Sequence, residues 1–197
     1  IRWPIADPVL SERDRAALNG ALRMLSWGGI GAALMLLGAG MIARATGGFA
    51  IDALPLAHIR MPNLAGAGAA LIVIGLALKA GVAPLHSWCA AALGRLGTTY
   101  ALGVGALGLL GALSVLARFA AYAIAAPEIG AAISAVLAML GAASVFIGSV
   151  QAVGARNLLR LTAYAGASQA GCVLLSVALG SPAGFAAALM QLVAFAA

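Results

Sequence analysis

The stretch from Leu64 to Trp88 reads LAGAGAALIVIGLALKAGVAPLHSW. Its apolar run is long enough to cross a hydrocarbon core, which takes about 20 helical residues. Lys79, the only lysine of the chain, stands inside this run. A lysine at the centre of a bilayer costs about 2.5–3.5 kcal/mol on insertion scales, so we interpret Lys79 as a functional residue.

The composition excludes most soluble classes of protein. Of the 197 residues, 64% are hydrophobic and 8% are charged, and a soluble domain cannot hide that much apolar surface in one core. The net charge of +6 comes from basic residues scattered singly between apolar runs, without the basic stripe that nucleic-acid binding needs. We therefore expect an integral membrane protein that lies in a lipid bilayer and binds no nucleic acid.

The apolar runs predict an all-α, polytopic helix bundle, because helices satisfy their own backbone hydrogen bonds in lipid. A polar loop over residues 1–19 is expected to precede a transmembrane domain over residues 20–197. The predicted spans cover residues 20–43, 64–88, 98–117, 129–153, 161–179 and 183–197. The last run is shorter than a full span, and the chain opens with Ile1 and no signal-peptide pattern, so we expect an internal piece of a longer protein.

The arginines predict the orientation of the bundle, since cytoplasmic loops carry an excess of basic residues. With alternating spans, seven arginines fall on the side of Ile1 and three on the other side. The two sets are Arg2, Arg13, Arg15, Arg23, Arg95, Arg156 and Arg160, and Arg44, Arg60 and Arg118. We therefore expect the side of Ile1 to be cytoplasmic.

Two residues that follow Lys79 add to its interpretation. Pro84 lacks a backbone N–H and would leave the carbonyl of Ala80 without its helical donor. A broken helix beside an ionisable residue is a recurring device for ion sites in membranes. His86, seven residues after Lys79, would lie two helical turns further on the same face and is a candidate proton relay. The alternatives are a Lys79 that snorkels to the interface and a structural histidine at the membrane surface.

Other residues give weaker signals. Polar side chains inside the later spans either hold water or form packing hydrogen bonds; they include Ser144, Ser149, Gln151, Thr162, Tyr164, Ser168 and Gln169. Cys89 and Cys172 show no spacing typical of a metal site, and the chain has no dinucleotide fingerprint, haem ligand set or cysteine cluster. We therefore expect neither a metal nor a cofactor in this chain.

Two motifs resemble those of a known family. Residues 75–88, GLALKAGVAPLHSW, match the pattern G-x-x-x-K-x-x-x-x-P-x-H-x-W of the antiporter-like subunits of respiratory complex I and of Mrp-type antiporters. Residues 157–171, NLLRLTAYAGASQAG, resemble the family motif D-x-K-R-x-x-A-Y-S-S-I-S-x-x-G. Arg118 matches the arginine after the family's next helix, while Arg23 and residues 45–47 are similar to the pattern of subunit N.

The resemblance implies a fold, partners and residue roles. It makes the chain a fragment of an antiporter-like fold of roughly 14 helices, one of them discontinuous. Lys79 would be the central proton carrier, paired with a glutamate on the helix before this fragment, and His86 a candidate relay. Pro84, Trp88, Arg160 and Tyr164 would have structural or hinge roles. The implied partners are other membrane subunits of a multisubunit complex and transported protons or sodium, in the inner membrane of a bacterium.

The chain departs from the family pattern at ionisable positions. Leu109 stands where the family has a second lysine or histidine, and Ala91 where it has an aspartate after the tryptophan. In the second motif Asn157 replaces the aspartate and Leu159 the lysine. A continuous series of titratable groups leading away from Lys79 is therefore interrupted.

Three functional hypotheses follow from the resemblance. The first is a subunit N-like, non-redox part of a proton-translocating NADH:quinone oxidoreductase, in which Lys79 moves protons. The second is a subunit of an Mrp-type sodium/proton antiporter or of a related proton-driven uptake complex. The third is a degenerate paralogue with a structural role.

Overall fold

The computed structural model describes residues 12–48, 50–52, 54–55, 59–84, 86, 88 and 108–196, and every regular element among them is a helix. The helices are α1 (Glu12–Thr46), α2 (Pro62–Lys79), α3 (Leu110–Ala125), α4 (Gly130–Val153), α5 (Leu158–Ala178) and α6 (Pro182–Ala196). The expectations for residues 1–11, for Cys89 and Ala91, and for the first part of the span at 98–117 lie outside the described residues.

The all-α membrane fold expected from the sequence is confirmed. Four stretches are long and apolar enough to cross a membrane, namely Leu18–Thr46, Pro62–Lys79, Gly130–Val153 and Arg160–Ala178. Helix α4 agrees closely with the predicted span 129–153. Helix α1 already begins at Glu12, so the end of the expected loop 1–19 is helical. Helix α2 ends at Lys79 instead of continuing to Trp88.

Local sequence signals mark where two of the helices begin. Pro62 stands in the first turn of α2, where its missing N–H costs no helical hydrogen bond. Ser181 caps α6, since its hydroxyl accepts a 3.1 Å hydrogen bond from the backbone N–H of Gly184.

Helix α3 lies at the centre of the bundle and contacts α2, α4, α5 and α6. Its fully buried residues Leu113 and Leu116 belong to one apolar core with Val73, Ile133 and Leu174 of the surrounding helices. Leu76, Ala80 and Val82, at the end of α2 and just after it, belong to the same core, which packs this end against the surrounding helices.

Glycines set the close packing of two helical hairpins, α1 with α2 and α4 with α5. A methyl group added at Gly38 would lie 2.4 Å from the carbonyl oxygen of Gly68. One added at Gly171 would lie 2.7 Å from the carbonyl oxygen of Gly141. Small residues allow such close backbone approach between helices in lipid. These contacts fix the level at which the residues of neighbouring helices meet.

Candidate functional site

Helix α2 stops at Lys79 because of Gly81. Gly81 has a φ of +66°, in the left-handed region that favours glycine. The N–H of Val82 donates to the carbonyl of Ala77 at 3.0 Å, and the N–H of Gly81 donates to that of Leu78 at 3.4 Å. This pair of bonds is the Schellman motif that ends many helices. The expected break at Pro84 is therefore wrong in its place and cause: Ala80 already caps the helix, and Pro84 follows on an exposed turn after a cis peptide bond.

The break lies beside the middle of the apolar run of α1. A methyl group added at Gly31, close to the middle of the apolar run Leu18–Thr46, would lie 3.4 Å from Lys79 Cγ. Ala80, Val82 and Ala83 are buried. Non-helical backbone at membrane depth is tolerated where protein covers it or where it lines a cavity, and here protein covers it. Lys79 is the last residue of α2, and most of the residues that would form the second half of the expected discontinuous helix lie outside the described ones.

Lys79 lies at the end of α2 with an exposed side chain. It lines a pocket of about 690 Å³ between α1, α2 and the start of α3, together with Met24, Met35, Leu76, Leu109 and Trp88 among others. Among the described lining residues Lys79 is the only charged one. Lys79 stands at the carboxyl end of α2, where the negative end of the helix dipole lies. The arrangement is a single amine facing a pocket whose other described lining residues are uncharged.

Leu109 lies on the wall of the same pocket and is buried. The family resemblance expects a second lysine or histidine at this position. The structure therefore places two such positions on one pocket: Lys79, where the sequence matches the family pattern, and Leu109, where it departs from that pattern. Only one of them carries a titratable group.

Ser144 ties the segment after α2 to α4 and α5. Its hydroxyl accepts a 2.9 Å hydrogen bond from the backbone N–H of Ala83 and donates a 2.7 Å bond to the carbonyl of Ala167. Ser144 is fully buried. The sequence offered it only as one of several polar residues, because nothing local indicates which serine meets the break.

Trp88 folds back onto the end of α2. Its indole N–H donates a 2.9 Å hydrogen bond to the carbonyl of Leu78, a carbonyl of the last turn. Trp88 is buried in a small cluster with Leu109 and Ala163, against which Tyr164 packs. Trp88 therefore separates the Lys79 pocket from the region of α5 around Tyr164.

His86 lies in that second region. Its Nε2 donates a hydrogen bond to Gln151 Oε1, and its ring meets the ring of Tyr164 edge-on, with centroids 5.8 Å apart. Its Nδ1 is buried without a partner among the described residues. With Nε2 as the donor, Nδ1 is the acceptor nitrogen of the neutral ring. The expectation that His86 continues the Lys79 face of one helix is wrong, because α2 ends at Lys79 and the chain turns.

Arg160 and Tyr164 lie beside His86 at the end of the α4–α5 hairpin. They line a second pocket, of about 410 Å³, with Gln151, Gly154, Ala155 and Arg156. Arg160 is exposed and Tyr164 half-buried. The motif around Arg160 and the motif around His86 thus lie close together here. They are joined by the hydrogen bond of His86 to Gln151, a residue that lies outside both motifs.

The part of the chain that the structure describes shows no group of three or more His, Cys, Asp and Glu side chains able to hold a metal ion.

A family model described as NADH:quinone oxidoreductase/Mrp antiporter, TM, matches residues 9–197. The chain is 28% identical over 189 residues to the NADH-quinone oxidoreductase subunit N of Hydrogenovibrio crunogenus, covering 94% of this chain and 39% of that protein. It is 31% identical over 191 residues to the NADH-quinone oxidoreductase subunit N 2 of Solidesulfovibrio magneticus, again with 94% and 39% covered. The chain thus spans well under half of the length of these relatives.

Two solved complexes contain a chain of similar fold. One is an archaeal respiratory membrane complex, the membrane-bound sulfane sulfur reductase, with a TM-score of 0.74 and 23% identity over 91% of this chain and 39% of that one. The other is the Mrp complex of a Dietzia species, with a TM-score of 0.76 and 24% identity over 92% and 34% of the two chains. At these identities the similarity concerns the fold.

Proposed function

Because the chain belongs to the NADH:quinone oxidoreductase/Mrp antiporter transmembrane family, we propose that it is part of a subunit N-like, proton-translocating membrane subunit. The subunit N relatives support the assignment to an NADH:quinone oxidoreductase. In this proposal the chain works with other membrane subunits in the inner membrane of a bacterium, and the redox chemistry takes place in those other subunits.

Lys79 carries this proposal. Its side chain stands at the end of a helix that stops beside Gly31, inside the apolar run of α1, and it faces a pocket whose other described lining residues are uncharged. An ionisable residue inside a membrane is by default a candidate for an ion or proton pathway. A lysine accepts and releases one proton, so Lys79 is proposed as the proton carrier.

His86 is proposed as a relay on the other side of Trp88. Its acceptor nitrogen Nδ1 can take up a proton while Nε2 holds the donor bond to Gln151. Gln151 lines the second pocket, at the end of the hairpin. The same arrangement serves a purely structural histidine, and the activity of a His86→Gln variant separates the two roles.

The test is proton flux in vesicles that contain the intact complex. Lys79→Ala removes the carrier, and we expect proton flux to fall by about a hundredfold, the scale on which proton-transfer groups contribute. Arg60→Ala removes a cation from an exposed position outside the pocket and should leave the flux unchanged. The amount of assembled complex is measured for each variant. Normal flux from a normally assembled Lys79→Ala complex would overturn the assignment.

The same experiment also tests the two other hypotheses, each of which has one observation in its favour. The family model covers Mrp antiporters as well, and antiport predicts proton flux that depends on a sodium gradient. Leu109 on the wall of the Lys79 pocket favours a structural paralogue, which predicts unchanged proton flux after Lys79→Ala. Measurements with and without sodium, on both variants, distinguish the three.

A further inference from the structure

We propose that the second pocket, at the end of the α4–α5 hairpin, binds the phosphate of an anionic phospholipid. The pocket has a volume of about 410 Å³ and is lined by Gln151, Gly154, Ala155, Arg156, Arg160 and Tyr164. It is separate from the Lys79 pocket, and its occupation by a lipid does not depend on the proposed proton transfer.

The charge of the pocket points to an anion. Arg156 and Arg160 both line it, and neither forms an ion pair with a described carboxylate. Guanidinium groups present planar pairs of donors that match phosphate oxygens. The carboxyl end of α4 and the amino end of α5 meet here, so their dipoles largely offset each other. The two arginines therefore determine the preference for negative charge.

Uncharged donors complete the lining. Gln151 accepts the His86 hydrogen bond at Oε1, which leaves its NH₂ group as the donor toward the pocket. The Tyr164 hydroxyl is a further donor in the lining. A phosphate group in this pocket would meet two cations and neutral donors, with no carboxylate among the lining residues to repel it.

The position of the pocket favours a lipid over a free anion. Helix α4 has 24 residues and a length of about 36 Å, more than the hydrocarbon thickness of about 30 Å, so its end reaches the headgroup level. Exposed apolar side chains flank the arginines: Val153 is 91% exposed and Leu158 is 75% exposed. An amphipathic ligand can place its phosphate on the arginines and its acyl chains along these side chains. Basic pockets between membrane helices bind anionic headgroups in this way.

The experiment measures lipid binding to the purified full-length protein by native mass spectrometry. The probes are phosphatidylglycerol, which is anionic, and phosphatidylcholine, which is zwitterionic. We expect the double variant Arg156→Gln/Arg160→Gln to bind phosphatidylglycerol roughly thirtyfold more weakly, since each basic residue near an anionic surface contributes about a fivefold factor.

The matched control is Arg44→Gln/Arg60→Gln, which removes two exposed arginines at the opposite end of the bundle. The start of α2 lies near Ile129 at the start of α4, since a methyl group at Gly66 would meet Ile129 Cγ2 at 3.7 Å. Arg60 therefore lies far from the end of α4, and the control should keep the affinity for phosphatidylglycerol.

Three results would overturn the proposal. One is equal binding of both lipids by the unchanged protein, and another is an unchanged affinity in the folded glutamine variant. The third is displacement of phosphatidylglycerol by millimolar inorganic phosphate, which would make the pocket a site for free anions. If the glutamine pair does not fold, Arg156→Lys/Arg160→Lys decides: it keeps the charge but loses the planar donor pairs, so a several-fold weaker affinity supports the site and no change contradicts it.

Discussion

The backbone N–H of Ala83 donates a hydrogen bond to the hydroxyl of Ser144, 61 residues further along the chain. Because that hydroxyl also donates to the carbonyl of Ala167, one side chain joins the non-helical segment after Lys79 to the middle of α4 and of α5. Both Ala83 and Ser144 are fully buried, so water does not reach these groups from the surface. A single serine thus joins the break to both helices of the hairpin, in addition to the apolar core around α3.

Replacing Ser144 should destabilise the protein at this point. Ser144→Ala leaves the buried N–H of Ala83 without its acceptor, which costs about 1–3 kcal/mol. The measurement is the free energy of unfolding in detergent micelles. Ser114→Ala is the control, because the Ser114 hydroxyl bonds only the carbonyl of Leu110 on an exposed face of its own helix. Equal stability of the two variants would show that the Ser144 bond contributes nothing.

Gly81 should tolerate asparagine better than alanine. Its left-handed φ of +66° costs an L residue with a Cβ about 1–2 kcal/mol, whereas asparagine adopts this region more readily. We therefore expect Gly81→Ala to lower the free energy of unfolding by more than Gly81→Asn does. If alanine were as well tolerated as asparagine, the Schellman end of α2 would not determine where the helix stops.

Gly38 should be intolerant of the smallest side chain. Gly38→Ala places a methyl group 2.4 Å from the carbonyl oxygen of Gly68, which forces α1 away from α2. We expect a loss of roughly 1–3 kcal/mol of stability, the usual cost of overpacking. Gly40→Ala in the same helix meets no atom within 4 Å and should stabilise by up to about 1 kcal/mol through helix propensity. A stable Gly38→Ala variant would disprove the close approach of the two helices.

The orientation predicted from the arginines can be tested on exposed residues of the two ends. Single cysteines at Asp52 and at Arg156, in a chain without Cys89 and Cys172, are labelled in whole cells with a membrane-impermeant maleimide. We expect labelling at position 52 and protection at position 156, because the basic end should be cytoplasmic. The reverse pattern would contradict the orientation.

The sequence was sufficient for the elements that depend on apolar runs. The uncharged run before Gly154 predicts α4 almost to the residue, and the isolated Lys79 marks the helix that breaks. Gly81, and not Pro84, sets the end of α2. A glycine two residues beyond the last helical residue is itself a helix-stop signal, so this end can be predicted from the local sequence.

Pairs of residues far apart in sequence could not be predicted in the same way. Gln151 meets His86, and Ser144 meets Ala83, only because the packing of α4 against α5 and α3 sets their levels. That packing rests on contacts such as that of Gly171 with Gly141, which have no signature beyond an abundance of small residues. The same limit applies to the pocket at Arg156 and Arg160, since two arginines four residues apart do not reveal a cavity between them.

The level of Lys79 beside Gly31 also has an electrical meaning. A unit charge that crosses a whole membrane gains or loses about 2.3 kcal/mol per 100 mV. Because Lys79 lies beside Gly31, inside the apolar run of α1, a charge on Lys79 stands part of the way through this field. If Lys79 is the proton carrier proposed above, a proton that reaches it from one surface crosses only part of the voltage. Membrane voltage would then act both on the loading and on the unloading of this lysine.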